Sequence, residues 1–104
     1  MEQFVLYENT NPDSRNAYPY FVDVQHGLLD SLNTRVVVPL ASSKHLAENI
    51  ARLCPPVQIE GESFVLLTQQ ITNVPVSALQ SPVGSLAYLR DEIIAALDFL
   101  VTGI

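Results

Sequence analysis

The hydrophobic pattern of this chain changes once along its length. Over the first two thirds, short apolar runs and alternating apolar and polar residues are separated by turn-forming residues, whereas helical spacing emerges only near residues 86–100. Alternation with a period of two is typical of strands, and spacing near 3.6 residues is typical of a helix. The pattern therefore predicts a mainly β fold that ends in an α-helix.

Several stretches carry the strand pattern. They are residues 3–7, 18–25 and 35–40, followed by a hairpin of 57–60 and 63–70 around Gly61 and Glu62. Within 18–25, Tyr20, Val22 and Val24 share one face, and Phe21, Asp23 and Gln25 share the other. Because proline cannot donate to a ladder, we expect Pro39 at a sheet edge or a strand end. Residues 42–53 fit either a short helix or an irregular crossover.

A helix is predicted towards the end of the chain. Its stripe of core residues is Leu86, Leu89, Ile93, Leu97 and Leu100. Ser81, Pro82 and Ser85 suit positions at the start of this helix. Ile94, Phe99 and Val101 lie outside the stripe, so the helix carries more apolar surface than one contact needs.

Size and charge restrict the functions that the chain can have. Its 104 residues fit one domain, 1–104, which is large enough for a core without disulfides or metal. The formal net charge is -6, and the basic residues are scattered as Arg15, Arg35, Lys44, Arg52 and Arg90. Since nucleic-acid backbones are bound by lysine and arginine, direct nucleic-acid binding is disfavoured. Cys54 is the only cysteine, and no signal or membrane segment is evident, so we expect a cytoplasmic protein.

The last six residues, 99–104, carry no charged side chain. Chain termini are ordinarily solvated, so we expect this apolar end to be covered by a second copy of the chain or by a partner protein. Asp98 precedes it, near the end of the predicted helix, where a carboxylate is slightly unfavourable. Asp98 is consistent either with a tolerated surface acid or with a polar contact to a partner.

Four short motifs occur in order along the chain. They are FVDVQ at 21–25, VVPLA at 37–41, NVPVS at 73–77 and GI at 103–104. In order and spacing they resemble the CcdB family of bacterial toxins, nearly from end to end. The resemblance implies a compact, mainly antiparallel SH3-like β-barrel of the CcdB/MazF toxin type, with a C-terminal α-helix, assembled as a two-fold homodimer.

The same resemblance implies a toxin of a type II toxin-antitoxin system. Such a toxin is not an enzyme: it binds the A subunit of DNA gyrase and poisons the gyrase-cleaved DNA complex. A CcdA-like antitoxin with a disordered C-terminal arm removes it from gyrase. No cofactor, metal, membrane or direct nucleic-acid partner is implied.

Particular residues are also implied by the resemblance. The gyrase-binding and dimer positions are His26, Leu28, Leu29, Asp98, Val101, Thr102, Gly103 and Ile104. Thr102 stands where the best-known member has a tryptophan, whose aromatic or cation-π contact gives about 0.5–2 kcal/mol. Antitoxin contacts are expected on the polar loop and its flanks, at Glu8, Asn9, Arg15 and Tyr18.

Plainer interpretations stay open for several of these residues. Leu28 and Leu29 are also consistent with core residues that cap one end of the barrel. Gly103 is also consistent with a simple helix stop. The polar loop is also consistent with an ordinary solvated connection.

Two other functions fit the residues less well. The related MazF and Kid-like toxins are endoribonucleases, but residues 70–72 lack the arginine that those proteins carry after Gln-Ile. Asp23 and Arg35 fit an acid with a phosphate clamp, or alternatively a surface ion pair or turn brace. A metal site of His26, His45 and Cys54 matches no usual ligand spacing.

Overall fold

The computed structural model describes residues 2–45 and 51–103. Within these ranges the chain forms an antiparallel sheet that curls into a half-barrel, together with one α-helix. The strands are β1 Val5–Glu8, β2 Tyr20–Asp23, β3 Thr34–Ser42, β4 Pro56–Ile59, β5 Glu62–Leu66, β6 Thr72–Pro75 and β7 Pro82–Ser85, and the helix α1 is Arg90–Thr102. The prediction of a mainly β fold with a C-terminal helix is confirmed.

The order of the strands across the sheet is β4-β5-β3-β2-β1-β7, and β6 pairs with β3 beside this path. Short 3₁₀ helices lie between strands at Gly27–Leu29, Ser43–His45, Thr68–Gln70 and Val76–Ala78, and another, Ala87–Leu89, leads from β7 into α1. Strands β6 and β7 were not predicted from the sequence. Residues 46–50, within the predicted helix or crossover at 42–53, lie outside the described residues.

Strand β3 is the centre of the sheet. It pairs with β2 on one side, while its other side pairs first with β6 and then with β5. Pro39 lies inside this strand, opposite Phe21, so the expectation of an edge position is wrong. The carbonyl of Pro39 accepts from the amide of Leu67 at 2.9 Å, on the side where the partner changes from β6 to β5. The missing N–H of Pro39 therefore falls at a break in the ladder.

The hairpin of β4 and β5 confirms the predicted hairpin, with its turn one residue earlier. The predicted second strand, 63–70, is too long, because β5 ends at Leu66 and Thr68–Gln70 is a 3₁₀ helix. Glu60 and Gly61 are the two turn residues, with φ of 51° and 81°. Positive φ at both positions is typical of the type I′ turn that joins two-residue hairpins. The turn directs Glu60 and Gly61 away from the sheet, and both are exposed.

The two faces of the sheet are both apolar. The face towards α1 packs Leu6, Val22, Leu40 and Phe64 with Ile93 of the helix. The opposite face carries two smaller clusters, one around Tyr7 and Val37 and one around Ala41, Cys54 and Val65. The predicted alternation in β2 is confirmed, since Val22 and Phe21 belong to clusters on opposite faces.

Helix α1 begins later than its sequence signals indicate. Pro82 and Ser85 belong to β7, and the Ser85 Oγ accepts from the Ala87 amide at 3.1 Å, so Ser85 precedes a 3₁₀ turn and does not cap α1. Ile93 and Ala96 are the buried residues of the helix, whereas Leu100 is exposed and is not core. No helix within the described ranges is long and apolar enough to cross a membrane.

Candidate functional site

An exposed apolar turn follows β2. Leu28 is 86% exposed, and Leu29 and Leu32 are about half exposed. The turn is closed by its own hydrogen bonds: the Leu28 amide donates to His26 Nδ1 at 3.0 Å, and the Leu29 amide donates to the His26 carbonyl at 3.0 Å. The interpretation of Leu28 and Leu29 as core residues is therefore wrong.

A buried arginine lies beneath this turn. Arg35, in β3, is 1% exposed. Its Nε donates to Asp23 Oδ2 at 2.8 Å, and its Nη2 donates to Asp23 Oδ1 at 3.0 Å and to the Gln25 carbonyl at 2.9 Å. Its Nη1 donates to Asp30 Oδ1 at 2.6 Å. The Arg35 guanidinium thus connects Asp23, at the end of β2, to Gln25 before the turn and Asp30 after it.

Gln25 extends the network. Its amide donates to Asp23 Oδ1 at 2.9 Å, and its side-chain Nε2 donates to the Leu29 carbonyl at 3.2 Å. Its Oε1 accepts from the Val36 amide at 3.0 Å. Gln25 and Asp30 were not singled out from the sequence. A signal was present at the end of β2, because two polar residues, Asp23 in the strand and Gln25 just after it, share the face of Phe21 and are both buried.

The positive charge of the buried Arg35 is balanced by the carboxylates of Asp23 and Asp30. Burial by itself lowers the pKa of the Arg35 guanidinium, but the hydrogen bonds and charges of Asp23 and Asp30 raise this pKa above its ordinary value. Because all three guanidinium nitrogens donate to protein acceptors, Arg35 is a turn brace and not an exposed phosphate clamp. The alternative of a surface ion pair is also wrong.

The end of α1 forms a second exposed group. Val101 is 80% exposed, and Asp98, Thr102 and Gly103 are also exposed. The Thr102 hydroxyl donates to the Asp98 carbonyl at 2.7 Å. Gly103 ends the helix with φ of 76°, and its amide donates to the Phe99 carbonyl at 2.9 Å. Gly103 is therefore a helix stop, and Ile104 lies outside the described residues.

One further contact fixes the same helix. The guanidinium carbon of Arg52 lies 4.5 Å from the ring centre of Phe99. A cation over an aromatic face at this distance is attractive. Phe99, which lies outside the predicted core stripe, is thus covered by the segment before β4.

A groove of about 680 Å³ runs beside the polar loop. Glu8 and Arg15 are exposed and line it. Asn9 also lines it but is buried: its Nδ2 donates to Ser14 Oγ at 3.0 Å and to the Tyr18 carbonyl at 2.8 Å. Tyr18 is half buried and packs against the cluster around Ala41. Asn9 and Tyr18 therefore shape the loop, while Glu8 and Arg15 present charges in the groove.

Acidic side chains outnumber basic ones on the lining of this groove, which carries Glu8 and Glu60 beside Arg15. Burial raises the pKa of Tyr20, and the negative charges of Glu60, Glu8 and Glu62 raise it further. The Tyr20 ring meets Phe64 edge to face, with 5.3 Å between ring centres. The groove thus has an acidic rim above an aromatic floor.

Of the three residues considered for a metal site, the side chain of His45 lies outside the described part of the structure. Cys54 is buried, and its Sγ donates to Gln69 Oε1 at 3.2 Å. Among the side chains that the structure describes, no three His, Cys, Asp or Glu lie together in a way that could hold an ion.

Comparison with known protein families gives one finding. The family model described as CcdB protein matches residues 3–103 of this chain. The matched range runs from just before β1 to the glycine that ends α1, so it includes every strand and the helix described above. It also includes the braced turn, the exposed helix end and the polar loop.

Proposed function

The chain belongs to the CcdB family, and from this premise we propose that it binds the A subunit of DNA gyrase as a homodimer and poisons the gyrase-cleaved DNA complex. The family comprises toxins of toxin-antitoxin systems that act on gyrase and are not nucleases. The protein accordingly acts as an inhibitor of a topoisomerase, not as an enzyme. Its place of action is the cytoplasm, where gyrase works.

One observation carries the proposal: Leu28 and Val101 are almost fully exposed although both are large and apolar. Exposed apolar side chains that are grouped mark interaction sites on soluble proteins. Leu28 stands on a turn that a buried arginine holds in place, and Val101 stands on the last turn of a capped helix. Both positions are presented rigidly, which lowers the entropy that binding costs.

We assign the dimer and gyrase contacts to the turn and the helix end. The turn supplies His26, Leu28 and Leu29, and the helix end supplies Asp98, Val101, Thr102, Gly103 and Ile104. Two-fold symmetry presents each of these groups twice.

Thr102 alters the expected affinity. Its hydroxyl is turned back onto the helix and donates to the Asp98 carbonyl. A threonine offers no ring for a cation-π contact, which is worth about 0.5–2 kcal/mol. We therefore expect gyrase binding that depends on apolar burial and is weaker than that of a family member with tryptophan at this position.

The polar loop is assigned to the antitoxin. The partner is a CcdA-like protein whose disordered C-terminal arm orders on this side of the toxin, near Glu8, Asn9, Arg15 and Tyr18. Disordered segments can cover long surfaces because they order as they bind. The groove beside the loop, with its charged rim, is the surface that receives the arm.

The test is a gyrase cleavage assay with plasmid DNA, ATP and purified gyrase. Linear DNA released after protein digestion measures the trapped complex. We expect linear DNA with the intact protein and much less with a variant that lacks residues 103–104. A Tyr88→Ala variant is the matched control, because Tyr88 is exposed but belongs to neither assigned group.

Two outcomes contradict the proposal. Equal linear DNA from the intact and shortened proteins excludes residues 103–104 as gyrase contacts. Cleavage of a generic RNA, without any effect on gyrase, supports an endoribonuclease instead.

A further inference from the structure

The two end strands of the sheet border the same groove. Strand β4 supplies Gln58 and Ile59 to its lining, and β7 supplies Val83 and Ser85. Among the described residues, β4 pairs with β5 alone and β7 pairs with β1 alone. The half-barrel is therefore left open along this groove, with one strand edge on each side.

The groove continues along the outer edge of β4. A hollow of about 350 Å³ lies between Gln58 and Tyr88, and a smaller one of about 190 Å³ lies between Pro56 and Glu92 of α1. The three hollows share lining residues, because Gln58 and Tyr88 line the first two and Pro56 lines the last two. They follow one another along β4, and we refer to them together as the channel.

The backbone of β4 offers hydrogen bonds to this channel. The Leu66 amide donates to the Pro55 carbonyl at 3.0 Å, which fixes the side of β4 that faces β5. Backbone groups alternate between the two sides of a strand. The N–H and C=O of Gln58 and the C=O of Pro56 therefore point outward, away from β5.

Two features of the outer edge of β4 limit its pairing with unrelated strands. Pro56 has no N–H to donate, and β4 has only four residues. Prolines and short length are common protections of free edges. An incoming strand can therefore both donate to and accept from the backbone of β4 only at Gln58, which fixes the position where it pairs.

The side chains around the channel define the chemistry of its occupant. Glu8 and Glu60 lie on the rim of the wide end of the channel. The negative charge of Glu62, like those of Glu8 and Glu60, raises the pKa of Tyr20. Arg15 is the one basic side chain on the described lining of that end. Apolar surface from Tyr88 and Leu89 borders the middle section. The complementary ligand is therefore basic where it meets the wide end and apolar along the middle section.

We propose that this channel binds an extended, basic peptide segment, which pairs with the outer edge of β4 as an added strand. The segment donates to and accepts from Gln58, lays apolar side chains on Tyr88, and places lysine or arginine beside Glu8 and Glu60. Strand addition of this kind combines main-chain affinity with side-chain specificity. The identity of the segment as the antitoxin arm rests on the proposed function.

The test uses isolated protein and two peptides with blocked ends. One has eight residues of alternating lysine and valine, and the other has glutamate in place of lysine. We expect the lysine peptide to bind, with shifted amide resonances at Gln58 and slower exchange of its N–H, and the glutamate peptide to bind at least tenfold more weakly. The two peptides share length and the alternating pattern, and they differ chiefly in the sign of their charge.

Two variants separate main-chain pairing from side-chain contact. Gln58→Pro removes the outward N–H, and Gln58→Ala removes the same side chain but keeps the N–H. We expect about tenfold weaker binding for Gln58→Pro and less than twofold for Gln58→Ala. Circular dichroism verifies that both variants fold, and the exchange of the Gln58 amide in the unmodified protein tests the pairing without any substitution.

The acidic rim is tested by Glu8→Gln combined with Glu60→Gln. At low salt we expect about fivefold weaker binding of the lysine peptide, and the difference shrinks as salt rises. No binding of either peptide, or equal binding of Gln58→Pro and Gln58→Ala, overturns the proposal.

The peptide titration and the gyrase cleavage assay can fail independently of each other. The peptide titration contains neither gyrase nor antitoxin. Absent peptide binding together with trapped gyrase complexes removes only the strand-addition site. Peptide binding without any effect on gyrase removes the proposed function and leaves the channel as a binding site.

Discussion

Arg35 and Asp23 form a two-point ion pair inside the protein, with Nε 2.8 Å from Oδ2 and Nη2 3.0 Å from Oδ1. The side chains of both residues are almost completely inaccessible to solvent. The same guanidinium reaches Asp30 on the far side of an exposed leucine turn. The interior of the half-barrel and the surface proposed to bind gyrase are thus connected by a single side chain.

Removal of this arginine leaves a buried carboxylate without its partner. We predict that Arg35→Met destabilises the protein by about 3–5 kcal/mol, which is typical for breaking a buried pair. Urea denaturation followed by circular dichroism measures the loss. Arg90→Met is the control: Arg90 faces Asp91 at 3.6 Å on the surface, so its loss should cost less than about 1 kcal/mol. Equal losses in the two variants contradict the brace.

The sequence and the structure agree where local pattern decides the outcome. The alternation in β2, the β4–β5 hairpin and the helical stripe around Ile93 could all be predicted, because neighbouring residues along the chain determine them. Strand β7 could not, since it contains Pro82 and Gly84 and forms by pairing with β1, which is distant in sequence. Pro39 was misplaced for the same reason: the break in its ladder depends on which strands lie beside β3.

The candidate site was predictable in part. Family resemblance indicated Leu28 and Val101, and the structure finds both exposed. Residue spacing alone could not determine whether Leu28 lies in the core or on the surface. The partners of Arg35 were also beyond local pattern, because Asp30 and Gln25 reach it only after the turn has folded over β3.

The exposed apolar groups should control self-association. We predict that Leu28→Asp combined with Val101→Asp converts a dimer into a monomer, because a charge at each position opposes burial. Sedimentation equilibrium measures the mass. The far-ultraviolet circular dichroism should stay unchanged, because neither side chain belongs to the core. Tyr88→Asp is the matched control, and we expect it to stay dimeric. A monomeric unmodified protein contradicts the prediction.

The hairpin turn contains a strained residue. Glu60 has φ of 51°, a conformation that asparagine and glycine adopt more easily than glutamate. We predict that Glu60→Asn stabilises the protein by about 0.5–1 kcal/mol. Glu62→Asn, at the start of β5, is the control and should give no gain, since asparagine is unfavourable in strands. Thermal denaturation of the two variants measures the difference, and a gain in both would point to charge instead of turn geometry.

The glycine that ends α1 is needed for its backbone conformation. A Cβ on Gly103 meets no atom within 4 Å, and the same is true of Gly84, but only Gly103 has a positive φ, of 76°. We predict that Gly103→Ala costs about 1 kcal/mol, whereas Gly84→Ala is neutral or stabilising. Urea denaturation distinguishes the two. Equal effects would show that the left-handed conformation does not determine the cost.

Alkaline pH should destabilise the protein through three groups. Burial raises the pKa of Cys54 above its ordinary 9.0, and burial also raises the pKa values of Tyr7 and Tyr20 above 10.0. The charges of Asp23 near Tyr7, and of Glu60 near Tyr20, add to the rise.

The sign of the effect follows from proton linkage. Each group keeps its proton to a higher pH in the folded protein than in the unfolded chain, so the unfolded chain binds fewer protons above pH 9. Stability contributed by these groups is therefore full below pH 9 and is lost as pH rises through their folded pKa values. We predict a falling free energy of unfolding between pH 9 and 11, measured by urea denaturation at constant ionic strength. Tyr20→Phe removes one of the three groups, so its decline should be shallower above pH 10, and an identical slope would exclude Tyr20 as a contributor.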